Sequence, residues 1–438
     1  MPWGLAWCCS PPRSAAQARK DLFPFSLVEC VLKILCNLHT GVYKLHRIYY
    51  AMRMVVKRTM NAKLLNLLRT FPVVTVTGCR QCGKSTFLRH LLPDYAYISL
   101  EDLDMRQLAR DDPRHFISVY SQNVIIDEIQ QAPTLLSYLQ THVDSVNRSG
   151  MYVLTGSHNL LLMQSISQSL AGRTALLTLA PFSLSELRGA GLLPGSVNEM
   201  LYTGNFPRIY DQHIEPADFY ASYIQTYVDR DVRLIRNIGD YAAFTRFIKL
   251  CAGRCSQILN ITALAEDAGI TRKTAEAWLS ALKTSYIIYL LRPYHKNFGK
   301  RVIKNPKLYF YDTGLAASLL GITSAAQIES FYMRGALFEN LAVSELLKRR
   351  LFAGKTDELY FWRDSNGVEI DVLEEDGNSL HAYEIKASET MNGAFFSSIK
   401  KLKELAGIPM KNTAVIYGGQ TAMPASDSIG AYIPWREI

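Results

Sequence analysis

The segment Gly78-Cys79-Arg80-Gln81-Cys82-Gly83-Lys84-Ser85-Thr86 carries the sharpest chemical signature in the chain. Its first eight residues read G-x-x-x-x-G-K-S, a loop whose backbone N–H groups wrap a polyphosphate. Gly78 and Gly83 let the backbone approach where a Cβ would obstruct it. Lys84 is expected to reach the β- and γ-phosphates, and the Ser85 hydroxyl to bind Mg²⁺. The residues between and after the glycines, Cys79, Arg80, Gln81, Cys82 and Thr86, complete the cradle. Such a loop works only between a strand and a helix N-terminus. Residues 73–77, Val-Val-Thr-Val-Thr, are a β-branched run suited to a buried strand, and residues 86–92 read as a helix stopped near Pro93.

A second motif follows at the right distance. Residues 123–128, Asn-Val-Ile-Ile-Asp-Glu, form a short apolar strand ending in two carboxylates. Asp127 is assigned to the metal, and Glu128 is assigned as the catalytic residue that activates water. One such strand end alone would read equally well as a solvated acidic turn; the two motifs in order select the phosphoryl-transfer reading. A third apolar strand, 151–157, ends in Ser157, expected beside Asp127 and against the γ-phosphate, with Asn159 as second choice. Arg173 precedes a last strand. It is either an arginine that reaches a γ-phosphate, in cis or across a subunit interface, or an ordinary surface arginine. No guanine-reading N-K-x-D is evident, so ATP is the expected nucleotide.

The elements that must position these residues alternate. Strands are expected at 73–77, 95–100, 124–127, 152–155 and 175–179, with helices between them. That alternation implies an α/β fold with a parallel sheet covered on both faces and ligand at the carboxyl ends of its strands. The nucleotide domain is placed at 53–190. Glycine and proline then punctuate the chain, and a helical linker region is expected at 191–240. Residues 241–325 suggest a winged helix. Residues 261–268 form a first helix closed by Gly269, and Thr271 caps a second that presents Arg272 and Lys273. Strands at 287–291 and 308–311 flank a basic segment with Lys296, Lys300, Arg301, Lys304 and Lys307, a candidate wing. DNA contact and a lid that only packs on protein are both open readings of this region.

The segment 326–438 has its own chemistry. A helix is expected at 335–347, then strands at 359–362, 367–373, 382–386, 413–417 and 431–434. Period-2 alternation puts Glu384 and Lys386 on one face, and Asp371 lies on the adjacent strand. Asp371, Glu384 and Lys386 are the candidate catalytic set for metal-assisted phosphodiester hydrolysis, with Glu339, Asp371 and Glu384 as metal ligands. The alternative is a charged strand pair at a sheet edge.

Composition sets the limits. The chain has 438 residues, 48% hydrophobic and 20% charged, which suits two or three packed domains. A net charge of +9 is compatible with nucleic acid as a partner and does not establish it. The 8 cysteines show no spaced framework, and the C-x-x-C of Cys79 and Cys82 lies in a loop whose geometry is already committed. Reduced cysteines and a cytoplasmic location are expected. No apolar run of about eighteen residues suggests a membrane span. Residues 1–52 carry no clear pattern. They are expected to be an extension, either from a mis-assigned start or as a surface amphipathic helix, with a weak signal peptide as the other reading.

Taken together, the chain resembles the AAA+-type bacterial and archaeal ATP-binding proteins with a C-terminal domain of unknown function. The resemblance rests on Val55-Val56-Lys57-Arg58, the loop 78–85, Asp127-Glu128, Thr155-Gly156-Ser157 and Leu170-Ala171-Gly172-Arg173. It continues through Gly204-Asn205-Phe206-Pro207-Arg208, Tyr311-Asp312-Thr313-Gly314-Leu315, residues 335–340 and Glu384-Ile385-Lys386. Asn205 departs from a more usual glycine. The resemblance implies an AAA+-like P-loop core, a winged-helix element and a PD-(D/E)xK, restriction-endonuclease-like α/β domain, in which Asp371 matches the first acid and Glu384 and Lys386 the E-x-K. The expected activity is Mg²⁺-dependent ATP binding and hydrolysis on or near DNA. The alternative is a nucleotide-controlled switch or scaffold with little turnover and an inactive nuclease-like domain. A homo-oligomer is compatible with either.

Overall fold

Strand β1 (Val73–Thr77) is buried at every position, and its side chains serve two cores in alternation. Val74 and Val76 face one apolar cluster with Ile125 and Val153, whereas Val73 faces another with Ile126, Leu139 and Leu154. A strand buried on both faces needs a continuous apolar run, which is what the sequence there supplies. β2 (Ala96–Ser99), β3 (Val124–Asp127), β4 (Tyr152–Gly156) and β5 (Thr174–Thr178) complete a parallel sheet in the order β2-β3-β4-β1-β5. All five strands therefore end on one edge, which carries residue 78, Asp127 and Gly156. The structure, a computed structural model, describes residues 56–156, 169–227, 240–294, 305–364, 367–406, 410–425 and 429–438. Val55–Ile438 form one compact unit. The expected extension 1–52 lies outside the described residues.

Short helices follow the sheet at Leu184–Gly189, Val197–Thr203, Pro207–Gln212 and Pro216–Tyr223. Helices Tyr241–Ala252, Ile261–Ala268 and Arg272–Thr284 come next. Gly269 ends the second of these in the left-handed region, at φ 72°, and the Thr271 hydroxyl accepts from the Thr274 N–H at the start of the third.

The two strands after them are not a free-standing wing. β6 (Ile288–Pro293) pairs antiparallel with β7 (Lys307–Phe310) and parallel with β8 (Tyr360–Arg363). With β9 (Glu369–Asp376), β10 (Ser379–Lys386), β11 (Met410–Tyr417), β12 (Met423–Pro424) and β13 (Ala431–Pro434), they make one eight-stranded sheet, ordered β12-β13-β11-β10-β9-β8-β6-β7. The expected boundary at 325/326 thus divides strands that share a sheet. Every residue of β7 is buried, Lys307 included, so Lys307 is not a solvent-facing phosphate contact. Lys296, Lys300, Arg301 and Lys304 lie outside the described residues.

The helix Arg334–Phe352 runs beyond its expected end. Lys348 and Arg350 break the apolar pattern in sequence, but both are buried and paired. Lys348 Nζ donates to Glu345 Oε1 at 2.7 Å and to Phe182 O at 3.0 Å, while Glu345 Oε2 accepts from Leu184 N at 2.8 Å. This network fixes the helix against the segment that follows β5.

Candidate functional site

The phosphate loop leaves β1 through Gly78, at φ 145°, where an added Cβ would lie 2.0 Å from Leu179 O. Gln81 and Gly83 also take positive φ, 64° and 91°, and Gly83 opens the helix Lys84–Leu91. Lys84 is buried, and its Nζ donates to the carbonyls of Gly78 and Cys79 at 3.0 Å each. Ser85 Oγ donates to Asp127 Oδ2 at 2.7 Å. Asp127 accepts two more hydroxyl bonds, from Tyr97 at 2.5 Å and from Thr155. A buried carboxylate needs such donors when no cation neutralises it. Burial, and next the charge of Asp127, push the Tyr97 phenol up, so it stays a proton donor. The Ser85 hydroxyl and the Asp127 carboxylate are hard oxygen donors beside a helix N-terminus, a pair that fits Mg²⁺. Glu128 follows in the left-handed region, at φ 56° and ψ 46°, unusual for a residue with a side chain. Its carboxylate accepts from the Gln130 side chain.

Arg58 supports this loop from beneath. It is 4% exposed, and its guanidinium donates to Cys82 O at 3.1 Å and to Ala180 O at 2.6 Å. Its Nε lies 3.1 Å from Glu186 Oε2 without hydrogen-bond alignment, and its plane sits 5.0 Å from the Phe182 ring centre. One side chain thus ties the loop to the turn after β5. Cys79 and Cys82 are buried and free. Burial pushes the Cys79 thiol up. Burial acts the same way on Cys82, but the bond with Cys79 and the charges of Lys84 and Arg58 bring its thiol down to about 6. From the other side, Tyr286 hydrogen-bonds through its hydroxyl to Thr77 Oγ1 at 2.8 Å.

A second cluster gathers in the C-terminal sheet. Lys307 Nζ lies 3.0 Å from Glu339 Oε1 and 3.7 Å from Asp371 Oδ1, and it touches the Glu369 carboxylate. Tyr309 donates to Glu339 Oε1 at 2.6 Å, and Asp371 Oδ2 accepts from Ile385 N at 2.8 Å. Glu384 Oε1 accepts from Lys386 Nζ at 2.8 Å, whereas Glu384 Oε2 is buried without a hydrogen-bond partner. Burial, then the charge of Asp371, raise Glu339 to about 7 and Glu384 to about 8. Burial opposes the charge of Lys307, but Glu339, Asp371 and Glu369 outweigh it and raise its pKa. Among the described residues, no three His, Cys, Asp or Glu side chains converge closely enough to hold a metal ion.

Residues 70–188 match the family model of the AAA domain. The match spans the whole five-stranded sheet and the phosphate loop that leaves it. Two further models, each described as a domain of unknown function, match residues 195–326 and 334–438. Uncharacterized proteins of Mycobacterium bovis and Mycobacterium tuberculosis are each 28% identical over 390 residues, covering 88% of this chain and 85% of theirs. Among solved structures, a Walker-type ATPase of Pyrococcus abyssi aligns at 16% identity and TM-score 0.41, over 60% of this chain and 96% of its own. AMPPCP-bound DnaA of Aquifex aeolicus aligns at 12% identity and TM-score 0.27, over 51% and 85%.

The expected site residues fall unevenly on this framework. Lys84, Ser85, Asp127 and Glu128 meet at the strand ends. Ser157 and Asn159 lie outside the described residues. Arg173 is at the wrong end of the sheet for contact in cis. Its carbonyl accepts from Val73 N, which places it at the amino ends of the strands, about 16 Å from the loop at a strand rise of about 3.3 Å per residue. Its side chain forks onto Asp144 at 2.6 and 2.8 Å, and that bond lowers the carboxyl pKa of Asp144. Arg272 and Lys273 are exposed, with Arg272 paired to Glu276 at 2.9 Å. Glu339 and Asp371 gather on Lys307, whereas Glu384 pairs with Lys386. Sequence reasoning missed the roles of Arg58, Tyr97, Thr155, Tyr286 and Glu369. Thr155 was legible as a polar residue at the carboxyl end of an expected strand, whereas Tyr97 lay inside one. Arg58 stood in the motif 55–58 without a role, and Tyr286 and Glu369 in none, because the partners of all three are remote in sequence. Among the described residues, no helix is long and apolar enough to cross a membrane.

Proposed function

We propose that this protein is a Mg²⁺-dependent ATPase of the AAA type that acts on or near DNA. The observation that carries the reading is the hydrogen bond between Ser85 and Asp127 beneath a helix N-terminus, with Glu128 as the next residue. These are the groups that phosphoryl transfer needs: an oxygen pair for the metal and a carboxylate for water. Bound Mg²⁺ neutralises phosphate charge. Lys84 exchanges its two loop carbonyls for phosphate oxygens, a change of acceptor that needs no change of loop. Ser85 and Asp127 would hold the metal. Tyr97 and Thr155 keep Asp127 oriented while they do so. Glu128 takes a proton from the attacking water, and its left-handed backbone turns it off the line of β3.

The DNA part of the proposal rests on two features. The net charge is +9, and Arg272 and Lys273 stand exposed in the first turn of the second helix of a helix-turn-helix pair. The test is ATP turnover with and without DNA, with DNA integrity followed in the same tube. Lys84→Ala is expected to cost about 10²–10³ in binding or turnover. Glu128→Gln is expected to bind ATP normally and lose about 10²–10⁴ in turnover. Wild-type turnover in both variants would refute the ATPase reading, and turnover and filter binding indifferent to DNA at low salt would refute the DNA part.

A further inference from the structure

We propose that Lys307 is the resident cation of the C-terminal acidic cluster and that it keeps divalent metal out. The carboxylates come from two elements: Glu339 from the helix Arg334–Phe352, and Glu369 and Asp371 from β9. The ammonium comes from a third, β7, the edge strand of the sheet. Alternation on β7 aims residues 307 and 309 the same way, and both side chains end on Glu339 Oε1.

Lys307 is 3% exposed, and its ammonium also lies 5.7 Å from the centre of the Phe361 ring. An ammonium so far from water persists only when opposite charge surrounds it. Here Glu339, Glu369 and Asp371 all lie within ion-pair distance. Mg²⁺ and Mn²⁺ bind carboxylate oxygens at about 2.0–2.2 Å. An ion held by Glu339 Oε1 and Asp371 Oδ1 would therefore crowd the Lys307 nitrogen, which already lies 3.0 and 3.7 Å from those two atoms. Two positive centres do not share that space without water between them. The position that sequence reasoning gave to a metal ion is taken by a side chain that sequence reasoning gave to a wing.

A second observation shows what the cluster becomes without the ammonium. Glu384 is 6% exposed, and its Oε2 is buried without a donor. The cluster therefore holds more acceptor capacity than Lys307 and Lys386 satisfy. With Lys307 gone, Glu339, Glu369 and Asp371 would lose the one charge that they share and be left as carboxylate oxygens facing a common space. Metal-dependent chemistry at this cluster accordingly waits on the displacement of Lys307.

The inference is independent of the ATPase reading and is tested on the full chain without nucleotide. Mn²⁺ is the probe, and its binding is followed by electron paramagnetic resonance. The wild type and Asp371→Asn are expected to bind Mn²⁺ alike, because neither offers the cluster to metal. Lys307→Gln is expected to gain one site about 10–100-fold tighter than any in the wild type, and Asp371→Asn added to it should remove that site. Wild-type Mn²⁺ binding that Asp371→Asn abolishes would overturn the proposal, and this comparison needs no variant at Lys307. A Lys307→Gln protein with wild-type circular dichroism and no gained site would also overturn it. Lys307→Arg keeps the charge and is expected to exclude Mn²⁺; a site gained there would again overturn the proposal.

Discussion

Arg58 offers the sharpest test of how the phosphate loop is held. In Arg58→Met the stem and much of the volume remain, and the fork of donors is lost. Two of those donors serve buried carbonyls, Cys82 O at 3.1 Å and Ala180 O at 2.6 Å. Hydrogen bonds from a charged group contribute about 1.5–3 kcal/mol each, so the two together set a loss of about 3–6 kcal/mol. Glu186 limits the damage. It loses its neighbour Arg58 but still accepts from Thr59 N at 2.7 Å and Ser183 N at 3.0 Å, so its charge is not stranded. The expected destabilisation is about 3–5 kcal/mol, the range for breaking a buried pair from one side. That is a large share of the ~5–15 kcal/mol that keeps a domain folded. Function should fall as well, because Cys82 O belongs to the peptide that enters Gly83. Urea midpoints without nucleotide and calorimetric titration with MgATP measure the two effects. Arg58→Lys keeps the charge but not the fork and should fall between. An Arg58→Met protein with the wild-type midpoint would refute the reasoning, since the loss of both bonds leaves no route to a neutral outcome.

Three further outcomes follow from the same structure. Gly204→Ala should destabilise by about 2–4 kcal/mol, combining overpacking with a left-handed alanine, because its Cβ would lie 2.0 Å from Tyr220 Oη and 2.6 Å from Asp312 Oδ1 at φ 68°; thermal unfolding measures it, and an unchanged midpoint contradicts the packing. Glu384 is held at about 8 when folded, above its ordinary 4.5, so its contribution to stability is full below 4.5 and lost as pH rises through 8; Glu384→Gln should flatten the decline in melting temperature between those limits, and parallel curves would argue against the raised pKa. Arg272→Ala and Lys273→Ala should each lower the salt slope of DNA binding by about 1; slopes equal to the wild type would move the contact elsewhere.

Local signals carried the five-stranded sheet. β1, β3 and β4 are buried at every position and so read as largely apolar runs, and the loop motif states its own chemistry. The second sheet was harder for a physical reason. Its later strands were legible apart from the two-residue β12, but not their neighbours, because β6 and β7 join the sheet from across the helix Arg334–Phe352. That misplacement turned Lys307 into a wing residue and hid its pairing with Glu339, Glu369 and Asp371. The end of the same helix was lost because Lys348 and Arg350 look solvent-facing until their partners are known. Arg173 differs again: a phosphate contact in cis must lie at the carboxyl end of its strand, and this residue lies at the start, which removes the cis reading alone.

The shared eight-stranded sheet also bears on how the chain is made. During synthesis the first sheet has all its strands once Thr178 has emerged, so it can close early. β6 cannot. Its neighbour β8 is translated some seventy residues later, at Tyr360–Arg363, and until then the end of β6 at Arg292 and Pro293 lacks its partner strand. A nascent protein stalled between those points presents a sticky edge, and a recombination near residue 330 would separate two halves of one ladder. The two segments matched as separate domains of unknown function are therefore expected to travel together through evolution, as one inheritance unit.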